Sequence, residues 1–326
     1  MVKIDNKLSQ FYKSKSVLIT GGSGYIGSHI IDRLSLEDCS IKCFSRNKEI
    51  IKRKGIKYIF GDYSDEDIWS EAIKDVDIIF HLASQTSVYV AEDDPSKDYA
   101  ANVLPLEILA KSARNKNKIP FVVFSGTATQ FGTVESNPVS EQVKDNPSNY
   151  YDFHKLLAEK YLKLFIKKNF IQGVSLRLCN VYGPGPKSSS HDRGILNMMV
   201  KRALDGKDLT IYGSGDYLRD YIFIDDVVNA FILCPFNSEI INGTHLLVGS
   251  GEGKTIKEAL TQVAHLINSQ FGVSSKIEYV NPPSNLNESE FRNFVADNSL
   301  IKKKLNWSPE VNFNDGIIKT AKSFFE

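Results

Sequence analysis

The sequence predicts an α/β fold, a doubly wound parallel sheet with a smaller C-terminal α/β substrate-binding domain. Three observations carry this. Short, continuously apolar, β-branched runs alternate with helical patterns, as in a parallel sheet covered on both faces. A glycine-punctuated turn joins the first run to the first helix. The texture changes after Asn180, where Gly183-Pro184-Gly185-Pro186-Lys187-Ser188-Ser189-Ser190 reads as a loop and later elements are shorter.

Strands are expected at 17–20, 41–45, 58–60, 76–81, 120–125 and 174–178, with helices at 25–36, 66–74, 103–116 and 151–168. A further strand near 243–248 is expected to return to the main sheet. The division is therefore residues 1–180 for the first domain and 181–326 mostly for the second, interleaved.

In Val17-Leu18-Ile19-Thr20-Gly21-Gly22-Ser23-Gly24-Tyr25-Ile26-Gly27 the spacing Gly21-x-x-Gly24-x-x-Gly27 lies between strand and helix. Such glycines permit a sharp turn, close approach of backbone to a pyrophosphate, and tight helix–sheet packing. The helix N-terminus offers free N–H groups to the phosphates. The expectation is a Rossmann-type dinucleotide site.

Composition narrows the partners. Forty basic residues against 39 acidic ones give a net charge of +1, so no polyanion such as nucleic acid is expected as the main partner. No apolar run approaches the roughly 20 residues of a membrane span. The first residues are polar and carry no signal-like apolar stretch. Cys39, Cys43, Cys179 and Cys234 lack metal-ligand spacing, so no metal is expected and thiols in a reducing cytoplasm are.

Tyr151 and Lys155 are separated by one helical turn and share a face. A free phenol titrates near ~10, too high for a base at neutral pH. A neighbouring ammonium favours the phenolate and lowers that value. Tyr150, one residue earlier, is off the shared face, and the same spacing also suits a plain surface pair. The run Ser125-Gly126-Thr127-Ala128-Thr129-Gln130-Phe131-Gly132 follows a strand, where hydroxyls meet ligands at the sheet's C-terminal edge or serve ordinary turns.

Together these motifs resemble the extended short-chain dehydrogenase/reductase family, in its nucleotide-sugar epimerase/dehydratase branch. The resemblance runs through His81-Leu82-Ala83-Ser84, Asp94-Pro95 with Asn102-Val103, Arg177-Leu178-Cys179-Asn180-Val181-Tyr182-Gly183-Pro184, Arg219-Asp220-Tyr221-Ile222-Phe223-Ile224-Asp225-Asp226-Val227 and Leu305-Asn306-Trp307-Ser308-Pro309. It implies Thr127, Tyr151 and Lys155 as the catalytic group. It implies a dinucleotide held by Gly21, Gly24, Tyr25, Ile26 and Gly27, with Asp62 on the adenine amino group and Tyr63 beside it. Leu82, Ala83, Ser84, Asn102 and Ser125 would complete the groove, together with Tyr151 and Lys155. Ser84, Thr127, Asn180, Arg219 and Arg292 would bind a nucleotide-diphosphate sugar. On their own, Asp62 also reads as a helix N-cap, Asn180 as a turn residue and Arg219 as an ion-pair partner.

Two departures sharpen the reading. Dehydratases of this branch carry Asp-Glu after the catalytic Thr; here Ala128 and Thr129 stand there, so 4,6-dehydratase activity is not expected. Ser45 and Arg46 replace the acid that usually binds the ribose hydroxyls, which favours NADP over NAD unless Arg46 only stacks on adenine. The leading function is a 4-epimerase acting through transient oxidation at C4. An NADPH-dependent 4-ketoreductase is the alternative, and a non-catalytic dinucleotide sensor a third. His154 and His81 read as structural, and His191 and Asp192 as loop residues. The family implies a homodimer through helices 103–116 and 151–168, with Leu156, Leu157, Tyr161 and Leu164 available to core or interface.

Overall fold

The computed structural model describes residues 6–50, 52–114, 118–186, 194–284 and 286–325. Strands β1 (Ser16–Thr20), β2 (Ser40–Ser45), β3 (Ile56–Phe60), β4 (Ile78–His81), β5 (Phe121–Thr127) and β6 (Gln172–Leu178) are followed by β7 (Asn180–Tyr182), β8 (Leu209–Tyr212) and β9 (Leu218–Phe223). Then come β10 (His245–Val248), β11 (Gly253–Thr255) and β12 (Ile277–Val280). Seven strands form one sheet in the order β10-β6-β5-β4-β1-β2-β3, and every pairing in it is parallel. Outside it, β11, β9 and β7 form a small sheet, and β12 pairs with β8.

Alternation along the strands divides the core between the sheet's faces, as a period of two requires. Val17, Ile19, Ile78 and Phe80 meet α1 (Asn6–Tyr12) and α2 (Tyr25–Leu34) on one face. Leu18, Ile79, Val122 and Phe124 meet α3 (Glu66–Ala72) on the other. Two short helices follow on the connection after β4: α4 (Val88–Asp93) and α5 (Pro95–Asn102). Beyond them lie α6 (Leu104–Ala113) and α7 (Tyr150–Lys167). Ala158 and Leu162 of α7 and Leu106 and Leu109 of α6 close the second face.

Some boundaries differ from expectation. The helix expected at 103–116 begins at Leu104, and residues 115–117 lie outside the described residues. Helix α5, not expected from the sequence, is started by Asp94, whose carboxylate accepts from Lys97 N at 2.9 Å, with Pro95 in its first turn. Pro105 opens α6 in the same way, because the first turn needs no N–H from it. Helix α1 was also not expected; its Tyr12 hydroxyl donates to Ile232 O at 2.8 Å. Strand β5 runs on to Thr127, two residues past expectation, carrying a hydroxyl to the sheet's C-terminal edge.

A buried charge network fixes α7 on the sheet. Arg177 of β6 is 1% exposed; its Nε meets Glu159 Oε2 at 3.0 Å and its Nη2 meets Oε1 at 2.8 Å. Its Nη1 meets Asp145 at 2.7 Å. Glu159 also receives Ser175 Oγ, Gln130 Nε2 and Lys163 Nζ. Burial pushes the Glu159 carboxyl up, but hydrogen bonds and charge from Arg177 outweigh it and hold it well below the usual carboxylate range. Removing one partner strands the other charge in the core. Arg177→Met is expected to lower unfolding free energy by about 3–5 kcal/mol in a urea titration, with Glu159→Gln less costly because it keeps hydrogen-bonding capacity.

Candidate active site

The glycine turn follows β1 as a cradle that side chains would fill. Gly21 has φ +69° and its N–H donates to Phe44 O at 3.1 Å. A Cβ on Gly21 would lie 2.9 Å from Ala83 N, and one on Gly27 only 2.3 Å from Gly21 O. Gly24 is the N-cap of α2 and supplies no side-chain cap, so the first-turn N–H groups of Tyr25 and Ile26 suit an anion. A pyrophosphate fits this arrangement. The Tyr25 hydroxyl points elsewhere, to Gly183 O at 2.9 Å, and His29 meets Pro184 O at 2.8 Å, binding α2 to the loop after β7.

Around the cradle, Tyr63 clamps the turn: its hydroxyl donates to Phe44 O and receives Gly21 N, each at 3.1 Å. Asp62 is not a helix N-cap. That role belongs to Asp65, whereas Asp62 accepts from Ser64 N and Oγ, bonds that hold its carboxyl below the usual range. Ser45 is buried, and its Oγ accepts from Asn47 N at 3.1 Å. Arg46 is exposed, with its guanidinium 5.6 Å from the Tyr63 ring centre. Thr20 Oγ1 takes both Leu82 N and Ala83 N at 3.1 Å, which pins the backbone leaving β4.

Lys155 is 3% exposed; its Nζ lies 4.4 Å from the Phe124 ring centre and 3.5 Å from Ser84 Oγ. Ser84 Oγ meets Asn102 Oδ1 at 2.5 Å, and Asn102 Nδ2 meets Asp98 Oδ1 at 2.9 Å. His154 Nδ1 joins Asp98 Oδ2 at 2.6 Å, so this histidine is structural. Tyr151 is buried against Val88 and Ala91 of α4, whereas Tyr150 is 46% exposed. Ser125 lies two residues before Thr127 on β5 and is partly buried.

Thr127, Asn180, Arg219 and Arg292 line one pocket, with Thr129 and Phe294. Asn180 projects from β7 and is exposed. Arg219 donates through Nη1 to Leu218 O and Arg292 O, and through Nη2 to Glu290 O, with Glu290 Oε2 at 3.6 Å. It is thus both an ion-pair partner and a pocket residue. Sequence reasoning missed Asp152, a wholly buried carboxylate that accepts from Thr129 Oγ1 and Arg292 Nη1. Asp98 was missed too; its i,i+4 spacing to Asn102 was the available signal. His191 and Asp192 lie outside the described residues. No group of three metal-ligating side chains occurs among the described residues.

A doubly wound sheet with a dinucleotide cradle at one strand end and a tyrosine–lysine turn beside a hydroxyl defines a nicotinamide-dependent enzyme of the dehydrogenase class. The model of the NAD-dependent epimerase/dehydratase family matches residues 17–249. A UDP-glucose 4-epimerase of Mycolicibacterium smegmatis is 29% identical over 94% of this chain and 97% of its own. The crystal structure of the Thermotoga maritima UDP-glucose 4-epimerase with UDP-glucose superposes with a TM-score of 0.86 at 26% identity, covering 95% of this chain and 98% of the other. That of the Thermus thermophilus UDP-glucose 4-epimerase complex with NAD gives 0.83 at 27%, over 95% and 99%. The chain belongs to the NAD-dependent epimerase/dehydratase family.

Two predictions follow from this geometry. Gly27→Ala is expected to abolish dinucleotide binding in a calorimetric titration, since its methyl would collide with Gly21 O. The second concerns pH. Burial, reinforced by Lys155, pushes His81 down to about 3; burial, then Arg177, pushes His245 down to about 4. An unfolded histidine titrates near ~6.5, so as pH falls below that value the unfolded chain binds protons the folded chain refuses. Stability from these two residues is complete above that value and declines as pH falls, to about 4 for His245 and about 3 for His81. Thermal melts between neutral and mildly acid pH should show this decline, and His81→Leu should flatten it.

Proposed function

We propose that the chain is a nucleotide-sugar 4-epimerase acting through a 4-keto intermediate. The observation that carries the reading is one pocket shared by Thr127 with Asn180, Arg219 and Arg292, joined through Asp152 to the helical turn that carries Tyr151. The dinucleotide is held along Gly21, Gly24, Tyr25, Ile26 and Gly27, with Asp62 and Tyr63 at the adenine end and Leu82, Ala83, Ser84, Asn102 and Ser125 along the groove. When bound, the nicotinamide supplies a hydride acceptor, and afterwards a donor, for the sugar carbon.

Tyr151 takes the C4 hydroxyl proton as phenolate and returns it as phenol. The Lys155 ammonium lies on the same helix face and favours the phenolate. Asn180, Arg219 and Arg292 bind the diphosphate; Arg219 is already oriented by three main-chain carbonyls and keeps donors of its planar fork for phosphate oxygens. An anchored diphosphate leaves the sugar free to present its other face. Ala128 and Thr129 offer no carboxyl group for elimination, which argues against 4,6-dehydration. The epimerase activities named for the Mycolicibacterium and Thermotoga proteins support a UDP-sugar substrate.

Arg46 favours a second reading of the cofactor. Its guanidinium stands beside Tyr63 and Asp62, and no acid replaces it at the end of β2, so NADP is the preferred dinucleotide and a 4-ketoreductase the companion reading. Mass spectrometry of the dinucleotide released on denaturation separates them: a retained cofactor marks an epimerase, and an empty site binding NADPH tightly marks a reductase. Arg46→Ala is expected to weaken NADP about tenfold and leave NAD unchanged. We also propose a cytoplasmic homodimer. All four cysteines are free thiols, and Leu156, Leu157 and Tyr161 are partly exposed beside exposed Leu164 on α7. Sedimentation tests the dimer.

Interconversion of UDP-glucose and UDP-galactose, read by coupled assay, tests the main proposal. Tyr151→Phe is expected to lower kcat by about 10²–10⁴-fold, with Tyr150→Phe near wild type. A 4-keto-6-deoxy product or stoichiometric cofactor consumption would overturn it.

A further inference from the structure

Asp152 follows Tyr151 on the first turn of α7 and is fully buried, and the reading above gives it no role. A first-turn acid ordinarily faces solvent, where the helix dipole suffices to explain it. This one is anchored by Asn149, whose Oδ1 accepts Asp152 N and whose Nδ2 donates to Oδ2, both at 2.8 Å. From there its carboxylate reaches two pocket residues. Oδ1 accepts the Thr129 hydroxyl, and Oδ2 lies 3.4 Å from Arg292 Nη1. Thr129 Oγ1 is in turn 2.8 Å from Thr127 Oγ1.

The inventory of protons orients this chain. Oδ2 is met by two N–H donors and holds no proton. The single proton of Thr129 is committed to Oδ1. The contact between the two threonines therefore uses the proton of Thr127, which donates to Thr129. Thr127 Oγ1 also accepts Thr129 N at 3.3 Å, which leaves one lone pair for the pocket.

We propose that Asp152 is a positioning residue that, through Thr129, turns the Thr127 hydroxyl into a hydrogen-bond acceptor toward the substrate while holding Arg292 in the pocket wall. The inference rests on the epimerase reading. An acceptor at Thr127 binds a sugar alcohol, which has a proton to donate, and not the ketone, which has none. The C4 hydroxyl has one proton and gives it to Tyr151, so Thr127 takes its hydrogen bond from a neighbouring sugar hydroxyl, which keeps its proton while C4 is oxidised. A site built to seize a ketone would need the opposite orientation.

The test uses the full chain with its dinucleotide and four variants: Thr129→Val, Thr129→Ser, Asp152→Asn and the Thr129→Val/Asp152→Asn double. Thr129→Val and Asp152→Asn are each expected to lower kcat about tenfold or more, because a sugar held less well by this wall presents C4 less often to the nicotinamide. Thr129→Ser, which restores the hydroxyl, should recover most of that loss. The double variant should be no slower than the slower single one, because both break the same chain. Calorimetric titration with UDP, which needs no turnover, should show weaker binding in Asp152→Asn and unchanged binding in Thr129→Val, since only the former alters a contact of Arg292. Wild-type kcat in Thr129→Val, no recovery in Thr129→Ser, or losses that multiply in the double variant would overturn the proposal. Should Asp152→Asn fail to fold, the Thr129→Val and Thr129→Ser pair still decides it. A wild-type protein without epimerase activity defeats the functional reading instead, and unchanged UDP binding in Asp152→Asn then defeats the Arg292 half on its own.

Discussion

The buried pairing of Arg177 with Glu159 is the constraint on which the site's geometry depends. Glu159 lies four residues beyond Lys155, and the two share the face of α7 turned toward the sheet, where they meet Arg177 and Phe124. Two charge-assisted bonds from Arg177 allow that helix one rotation about its axis. Gln130 and Asp145 join the same charges, which binds the turn after β5 and the segment before α7 to the same point. An apolar contact of equal area would permit sliding; a buried ion pair does not, because misalignment leaves a charge without its partner in the core.

The parallel sheet then decides where chemistry gathers. Every strand of the main sheet ends at the same edge, so the glycine turn after β1, the pinned backbone after β4 and Thr127 at the end of β5 arrive side by side. Strands outside the main sheet, and the segment before residue 293, bring the other pocket residues. Asn180 comes from β7, Arg219 from β9, and Arg292 from a segment whose carbonyls hold Arg219. Asp220, next to Arg219, is buried and accepts from the Ser250, Gly251 and Ala296 N–H groups, which fixes the strand that carries the arginine.

Family membership accounts for this architecture but not for each side chain within it. Helix α7 uses its first turn twice: Tyr151 packs on α4, and Asp152 reaches Thr129 and Arg292. Lys155 is held by a second network, through Ser84 and Asn102 to Asp98 and His154. Two separate polar systems thus converge on one helical turn, and each takes a member from outside α7. A change in helix position would disturb both at once.

The sequence by itself determined what depends on neighbours in the chain. The glycine spacing, the strand–helix alternation and the shared face of Tyr151 and Lys155 follow from backbone sterics and the helical period, which act over a few residues. Even helix α5 carried its local signal in Asp94-Pro95. The tertiary structure alone decided which distant groups meet. Thr129 and Asp152 are 23 residues apart, Asp98 and His154 56, and Arg292 and Asp152 140. Periodicity states that Asp152 occupies a helix face but not what that face is packed against. That choice belongs to the sum of sheet order, crossover lengths and core packing, and it made Asp152 the buried acceptor beside the pocket.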